Sequence, residues 1–108
     1  MELVQSPLVD CFYLKPAIFK DKRGVFSETF NEKTFKEVTG RDITFVQDNQ
    51  SKSSKGVLRG LHFQTGEMAQ AKLVRVAYGR VIDIVVDVRK DSPSFGKSFA
   101  IELTGDNG

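Results

Sequence analysis

The chain has 108 residues, of which 16 are Lys or Arg and 14 are Asp or Glu, so its net charge is only +2. This length supports one domain with a modest hydrophobic core. Because the charges are interspersed, nothing points to a nucleic acid or an anionic membrane as the partner. We therefore interpret residues 1–108 as a single globular domain.

The N-terminal sequence, the longest apolar stretch and the cysteine content also limit the class of protein. The N-terminal sequence MELVQSPLVD lacks the basic and apolar blocks of a secretory signal. The longest apolar stretch, VIDIVVDV, is interrupted by Asp83 and Asp87 and is far shorter than a membrane span needs. The single cysteine, Cys11, cannot form an intrachain disulfide, which suits a reducing compartment. We predict a soluble, cytoplasmic protein.

Short stretches rich in β-branched and aromatic residues predict a mainly β fold. In chain order they are CFYL, VFSETF, ITFVQDNQS, AKLVRVAYG, RVIDIVVDVR and SFAIEL. One short helix is predicted near residues 31–39, in NEKTFKEVTG, with Asn31 as the N-cap and Gly40 just after the last turn. The polar stretch KDSPSFGKS is expected to form a turn before the last strand.

The two longest alternating stretches meet at AYGRV, which predicts a tight hairpin between them with Gly79 at a positive φ. Alternation also places Asp83 and Asp87 on a strand face that carries valines. Such mixing favours a sheet that is covered on both faces. We therefore predict a two-sheet sandwich with a polar cavity between its sheets, toward which the inward charges point.

Several polar residues are candidates for the lining of that cavity. In FVQDNQS, Gln47 and Asn49 have the same parity, so their amides are expected to project together toward sugar hydroxyls or base edges. Residues of this kind near a strand end are more often turn and rim residues. Arg59 and Lys72 are likewise more often solvated charges at a sheet edge. Sequence spacing leaves both interpretations open.

The only histidine of the chain, His62, lies between two apolar residues in GVLRGLHFQ. A lone histidine in this context is more often a structural core residue than a catalyst. Because no second histidine or cysteine pair accompanies it, these residues predict no metal site. Periodicity and composition thus indicate a β-sandwich with one candidate base.

Four ordered motifs resemble the dTDP-4-dehydrorhamnose 3,5-epimerase family. They are DKRGVFSETF, FVQDNQS, GVLRGLHFQ and QAKLVRVAYGRVIDIVVDVRKDSPSFGK, and the resemblance runs from about residue 8 to the end. It implies an all-β, cupin-like jelly roll, or double-stranded β-helix, that is incomplete at its C-terminus. It also implies epimerisation of a dTDP-4-keto-6-deoxyhexose at C3 and C5, on the way to dTDP-L-rhamnose, without a metal or redox cofactor.

The same resemblance implies a role for each candidate residue. His62 is the implied base that removes a proton next to the ketone, and Lys72 the cation that stabilises the enolate oxygen. The implied substrate-binding residues are Arg59, then Gln47, Asp48 and Asn49, and finally Arg23, Phe26 and Glu28. In the family, the segment that contains the last three reaches the nucleotide from the neighbouring subunit, which implies a homodimer with an exchanged N-terminal segment.

One geometric expectation concerns Gly60. Arg59 and His62 are an odd number of residues apart, so a regular strand would point them to opposite faces although the family uses both at its ligand. A glycine between them allows the strand to be interrupted. We therefore predict a bulge or kink at Gly60 that redirects one of the two side chains.

The resemblance also shows what this sequence lacks. Family members continue past TGDNG with strands that carry a tyrosine proton donor, a second histidine and the carboxylate that orients the base. Neither Tyr13 nor Tyr78 matches the donor. We therefore expect the N-terminal part of an epimerase, with weak binding, little or no turnover, and self-association through unpaired sheet edges. A non-catalytic fragment that binds sugar nucleotides and a single-position 3- or 5-epimerase are the alternatives.

Overall fold

The structure is a computed structural model that describes all 108 residues, and its strands form three antiparallel pairs. Strand β1 (Glu2–Gln5) pairs with β2 (Phe12–Lys15), β3 (Ile18–Asp21) with β4 (Gly24–Ser27), and β5 (Arg80–Val86) with β6 (Ser98–Thr104). Helix α1 covers Glu32–Thr39, and a single 3₁₀ turn covers Gly66–Met68. The predicted mainly β class with one short helix is confirmed.

The chain divides into two compact units. The first unit consists of residues 1–42 and 74–108 and contains all six strands and α1. The second unit, residues 43–73, contains only the 3₁₀ turn, and its backbone hydrogen bonds lie in two short turns at 54–57 and 65–69. Its side chains are exposed apart from those of Ile43 and Phe45, which are half-buried.

Helix α1 forms as predicted because both of its ends are satisfied locally. The Oδ1 atom of Asn31 accepts a hydrogen bond from the Thr34 amide at 3.1 Å, which caps the first turn. Gly40 adopts a φ of +65° and its amide donates to the Lys36 carbonyl at 2.9 Å. Between these caps, Phe35 is one of two buried apolar side chains in the chain, and its ring lies 5.9 Å from that of Phe30.

The predicted hairpin at Gly79 is wrong, although the glycine itself has the expected positive φ of +80°. No strand forms in ITFVQDNQS or in AKLVRVAYG. Strand β5 pairs instead with β6, from Arg80 opposite Thr104 to Val86 opposite Ser98. The reason is the connection 87–97, which turns the chain back as KDSPSFGKS was predicted to do and places β6 beside β5.

The expectation that both faces of the β5 sheet are covered is not met by residues of this chain. Val81 and Ile82 have opposite parity in β5, and they are 45% and 59% exposed. On β6, Phe99 is half-buried because its ring stacks at 6.4 Å on that of Tyr13 in β2. Apolar surface on β5 is therefore available for further contacts.

The inward charge at Asp87 is explained by side-chain partners and not by the polar cavity that was predicted. Its carboxylate is 2% exposed and accepts hydrogen bonds from Arg89 Nε at 2.9 Å, Ser92 Oγ at 2.5 Å and Ser94 Oγ at 2.6 Å. Buried carboxylates require partners of this kind. The bonds from Arg89, Ser92 and Ser94 hold the pKa of the Asp87 carboxyl well below its ordinary value.

This network also anchors the N-terminal part of the chain. The backbone amide of Val9 donates to Ser94 Oγ at 3.0 Å, and the Val9 carbonyl accepts from Arg89 at 2.6 Å. The Arg89 guanidinium also lies 3.5 Å from Asp10, which in turn pairs with Arg41. Polar contacts thus fasten the connection between β1 and β2 to the connection between β5 and β6.

The buried Ser94 is predicted to contribute strongly to stability. Ser94→Ala removes a donor to Asp87 and the acceptor of the Val9 amide, so we expect the free energy of unfolding to fall by about 1–3 kcal/mol. Ser98→Ala is the matched control, since Ser98 is exposed on β6 and its hydroxyl is outside the network. Urea unfolding followed by circular dichroism measures both. Equal losses would contradict the role of Ser94.

The ionised Asp87 is predicted to stabilise the fold at neutral pH and less so in acid. Because its pKa is lowered in the folded state, its contribution is present above the unfolded value of about 3.9 and is lost as pH falls below it. Asp87→Asn should therefore destabilise the chain at pH 7, and the difference from the unsubstituted chain should shrink in acid. Unfolding at a series of pH values tests this, and a difference that grows in acid would contradict it.

Candidate functional site

The nine predicted site residues fall in both units. Six of them lie in the second unit and are exposed: Gln47, Asp48, Asn49, Arg59, His62 and Lys72. The other three, Arg23, Phe26 and Glu28, lie in or beside strand β4 in the first unit and are exposed as well. All nine side chains are therefore accessible to a ligand.

His62 is exposed, so the interpretation of this residue as a packed core histidine is wrong. Its neighbours Leu61 and Phe63 are 74% and 66% exposed, and they do not enclose the ring. The side-chain hydrogen bonds of the second unit join Gln47 to Asn49 and Arg59 to Ser53, and none involves His62. Both imidazole nitrogens are consequently available for proton exchange.

The strand across Gly60 in which a bulge or kink was predicted does not form. Residues 57–64 contain no strand, and Gly60 has a φ of +116°, in the region that favours glycine. Arg59, which precedes Gly60, donates from Nε to Ser53 Oγ at 3.0 Å. The hydroxyl of Ser53 thus orients a guanidinium that still has free donors for an anionic or hydroxylated ligand.

The amide pair predicted from alternation is formed. Gln47 Nε2 donates to Asn49 Oδ1 at 3.2 Å, so the two side chains project to the same side of the chain. Asp48 lies between them and is exposed without an ion pair. The Gln47 carbonyl and the Asn49 amino group remain available, and such groups can accept from and donate to sugar hydroxyls.

Lys72 is the cation implied for the developing enolate. Its side chain is exposed, and none of the ion pairs of the structure includes it. An ammonium without a carboxylate partner keeps its charge available for a ligand oxygen.

On the β3–β4 hairpin, Arg23 is oriented by Asp21. Arg23 Nε lies 3.0 Å from the Asp21 carboxylate, which also accepts the Arg23 backbone amide at 2.8 Å. These bonds from Arg23 lower the pKa of the Asp21 carboxyl. The pair is a local contact that the sequence analysis missed, although an acid two residues before an arginine at a tight turn is a recognisable signal.

Phe26 and Glu28 are held by neighbours in different ways. Phe26 lies opposite Phe19 in the β3–β4 register, with ring centres 6.4 Å apart, and the two side chains are 69% and 62% exposed. Glu28 accepts a hydrogen bond at 3.2 Å from Asn31, the residue that caps α1. The helix N-terminus thereby restrains the end of the segment that begins at Arg23.

Two further observations concern metal binding and membrane crossing. No group of three or more His, Cys, Asp or Glu side chains is arranged to hold a metal ion. The longest helix, α1 with 8 residues, is too short to cross a bilayer, and no other helix has the length and apolarity that a span requires.

Comparisons with known proteins agree on one family. The family model for dTDP-4-dehydrorhamnose 3,5-epimerase matches residues 5–108. The dTDP-4-dehydrorhamnose 3,5-epimerase of Salmonella typhimurium is 52% identical over 107 residues, which are 99% of this chain and 58% of the relative. The chain therefore spans somewhat more than half the length of this relative.

The backbone of this chain is similar to that of solved structures of the family. The epimerase of Elizabethkingia anophelis is 55% identical and aligns with a TM-score of 0.91 over 99% of this chain and 58% of its own. The epimerase of Legionella pneumophila, solved in complex with dTDP-4-keto-L-rhamnose, is 42% identical with a TM-score of 0.92 over 98% of this chain and 56% of its own.

These alignments confirm the predicted fold class, because the aligned epimerases have the cupin-like jelly-roll fold. They extend over 99% of this chain for the Elizabethkingia anophelis structure and 98% for the Legionella pneumophila structure. With a family model that matches residues 5–108, the chain belongs to the dTDP-4-dehydrorhamnose 3,5-epimerase family.

Proposed function

We propose that this chain acts in the epimerisation of a dTDP-4-keto-6-deoxyhexose at C3 and C5, a step on the way to dTDP-L-rhamnose. The observation that carries the proposal is the accessible, unpaired imidazole of His62 within the matched sequence GVLRGLHFQ. The Legionella pneumophila relative, solved with dTDP-4-keto-L-rhamnose, supports this substrate class. Because the family model extends over both compact units, we propose that they belong to a single epimerase domain.

The proposed chemistry begins at the carbon next to the ketone. Its C–H bond is acidic because the anion formed on deprotonation delocalises onto the carbonyl oxygen. His62 takes this proton, and the Lys72 ammonium stabilises the enolate oxygen as negative charge develops there. The configuration inverts when water returns a proton to the opposite face of the same carbon, and His62 passes the proton that it took to solvent. Repeating these steps at the second position next to the ketone completes the reaction.

The remaining site residues bind the two ends of the substrate in this proposal. Gln47, Asp48 and Asn49 contact sugar hydroxyls, which their donor and acceptor groups suit. Arg59, with its Nε already directed by Ser53, contributes positive charge on the side of the diphosphate.

The exposed β3–β4 hairpin supports a homodimer in which this segment reaches the nucleotide of the neighbouring subunit. The paired rings of Phe19 and Phe26 and the side chain of Val25 leave an apolar surface beside the charged Arg23. Aromatic residues next to arginine are typical of interfaces. In the dimer, Phe26 stacks on the base, Arg23 pairs with phosphate, and Glu28 contacts the nucleoside.

We also propose a cytoplasmic location for the protein. The support is the free thiol of Cys11, which is half-buried at the connection between β1 and β2 and has no disulfide partner. Thiols of this kind persist in reducing compartments.

His62→Ala is predicted to remove the exchange of substrate hydrogen with solvent. Because little turnover is expected, incubation of the chain with dTDP-4-keto-6-deoxyglucose in D₂O should introduce deuterium only slowly at C3 and C5, as measured by NMR of the sugar. Loss of a general base lowers such a rate by about 10²–10⁴-fold. Lys72→Ala should also slow the exchange, and Lys55→Ala is its matched control because Lys55 is an exposed lysine of the same unit.

The pattern of labelling decides between the proposal and its alternatives. Deuterium at only one position identifies a single-position epimerase. Binding without deuterium uptake identifies a non-catalytic module for sugar nucleotides, an outcome that is compatible with a chain spanning 58% of its Salmonella typhimurium relative. Exchange that persists at the original rate in His62→Ala would refute the assignment of the base.

The proposed dimer predicts that Phe19→Ser weakens self-association. Phe19 is exposed and supports Phe26 without being a proposed ligand contact, so its loss removes apolar interface area. We expect the dimer dissociation constant to rise by about tenfold or more, as for other interface aromatics. Sedimentation equilibrium measures this constant. The control is Tyr78→Ser, since Tyr78 is an aromatic residue outside the hairpin that is 96% exposed; an equal effect of both would count against the hairpin.

A further inference from the structure

We propose that Gly60 is a positioning residue for His62: its missing side chain and its left-handed backbone together set the direction of the imidazole. This inference rests on the proposed function of His62 as the base. It assigns to Gly60 a part in the reaction that is separate from substrate binding, because the glycine acts only through the histidine.

The first observation is the close approach of the ring to residue 60. A Cβ atom built on Gly60 would lie 3.2 Å from His62 Nδ1 and 3.9 Å from His62 Cε1. Contacts between non-bonded heavy atoms are most favourable at about 3.5–4.0 Å, so a methyl group at this position would push the Nδ1 edge away. The imidazole therefore occupies space that only a glycine leaves open.

The second observation is the backbone conformation at the same residue. Gly60 has a φ of +116°, which residues with a Cβ rarely adopt. A substituted residue would relax toward negative φ and rotate the following peptide units, which carry Leu61 and His62. The short distance to Nδ1 and the φ of Gly60 therefore both affect the orientation of the His62 side chain.

These two constraints both act on the orientation of the ring. The ring atoms that a Cβ on Gly60 would approach within 4 Å are Nδ1 and Cε1, so a side chain at this position would displace that edge of the imidazole. Proton transfer requires a ring nitrogen within hydrogen-bond reach of the reacting group, so a small rotation of the ring is costly.

The test compares Gly60→Ala with Gly56→Ala. Gly56 also has a positive φ, of +84°, but a Cβ built there would meet no heavy atom within 4 Å. Both variants therefore strain a left-handed glycine, and only Gly60→Ala touches the imidazole. Deuterium uptake at C3 and C5 is measured at saturating and at limiting substrate. The first measurement gives the exchange rate of the bound substrate, and the comparison of the two gives KM.

We expect Gly60→Ala to lower the saturated exchange rate by about 10²-fold, the effect of a misplaced catalytic group, with KM unchanged. Because the chain has one histidine, a ¹H–¹³C spectrum shows one Cε1–Hε1 signal, which should move in Gly60→Ala and stay in place in Gly56→Ala. If the two variants have equal rates and equal ring signals, the inference is wrong.

An additional measurement on the unsubstituted chain covers the case in which Gly60→Ala does not fold. The geometry predicts a nuclear Overhauser effect between a Gly60 Hα and the His62 Hε1, and its absence would overturn the inference. The proposed function fails separately, if His62→Ala keeps the full exchange rate. In that event the ring signal and the Overhauser effect still decide whether Gly60 positions the ring.

Discussion

Backbone hydrogen bonding between strands that follow one another along the chain determines where regular structure forms. Each of the three strand pairs joins a strand to its immediate successor in an antiparallel register. Segment 43–73 has no such partner, and only short turns form in it. Side chains with a β pattern consequently stay exposed, and Leu8 and Phe35 are the only buried apolar residues. The same arrangement leaves the proposed site open to a ligand.

Features that depend on local chemistry could be predicted from the sequence. Asn31 and Gly40 bound the helix because their caps involve residues only a few positions away. The pairing of Gln47 with Asn49 agrees with their equal parity, and Gly60 has a positive φ of the kind that glycine favours. Pairing between strands is different, because hydrophobic alternation shows that a stretch suits a strand but does not identify its partner. This is why β5 was assigned to the wrong neighbour.

In the candidate site, the types of residue could likewise be predicted, whereas the surroundings of each residue could not. The resemblance to the epimerase family identified the candidate reactive groups, but the exposure of His62 depends on what packs around it and could not be read from the flanking Leu61 and Phe63. Arg23 and Arg59 were identified as cations, while the partners that orient them, Asp21 and Ser53, were missed. These partners are ordinary polar residues, and they become recognisable only when a turn brings them beside a guanidinium.

The network around Asp87 has a consequence for the order in which the chain acquires structure during synthesis. Its two ends, Val9 and Ser94, are separated by most of the sequence, yet the Val9 amide depends on the Ser94 hydroxyl. A ribosome releases the N-terminal hairpin long before it has made the residues that fasten it. Early in translation the nascent β1–β2 segment therefore lacks this anchor and is open to chaperones or proteases. It gains the anchor only when Arg89 and Ser94 emerge.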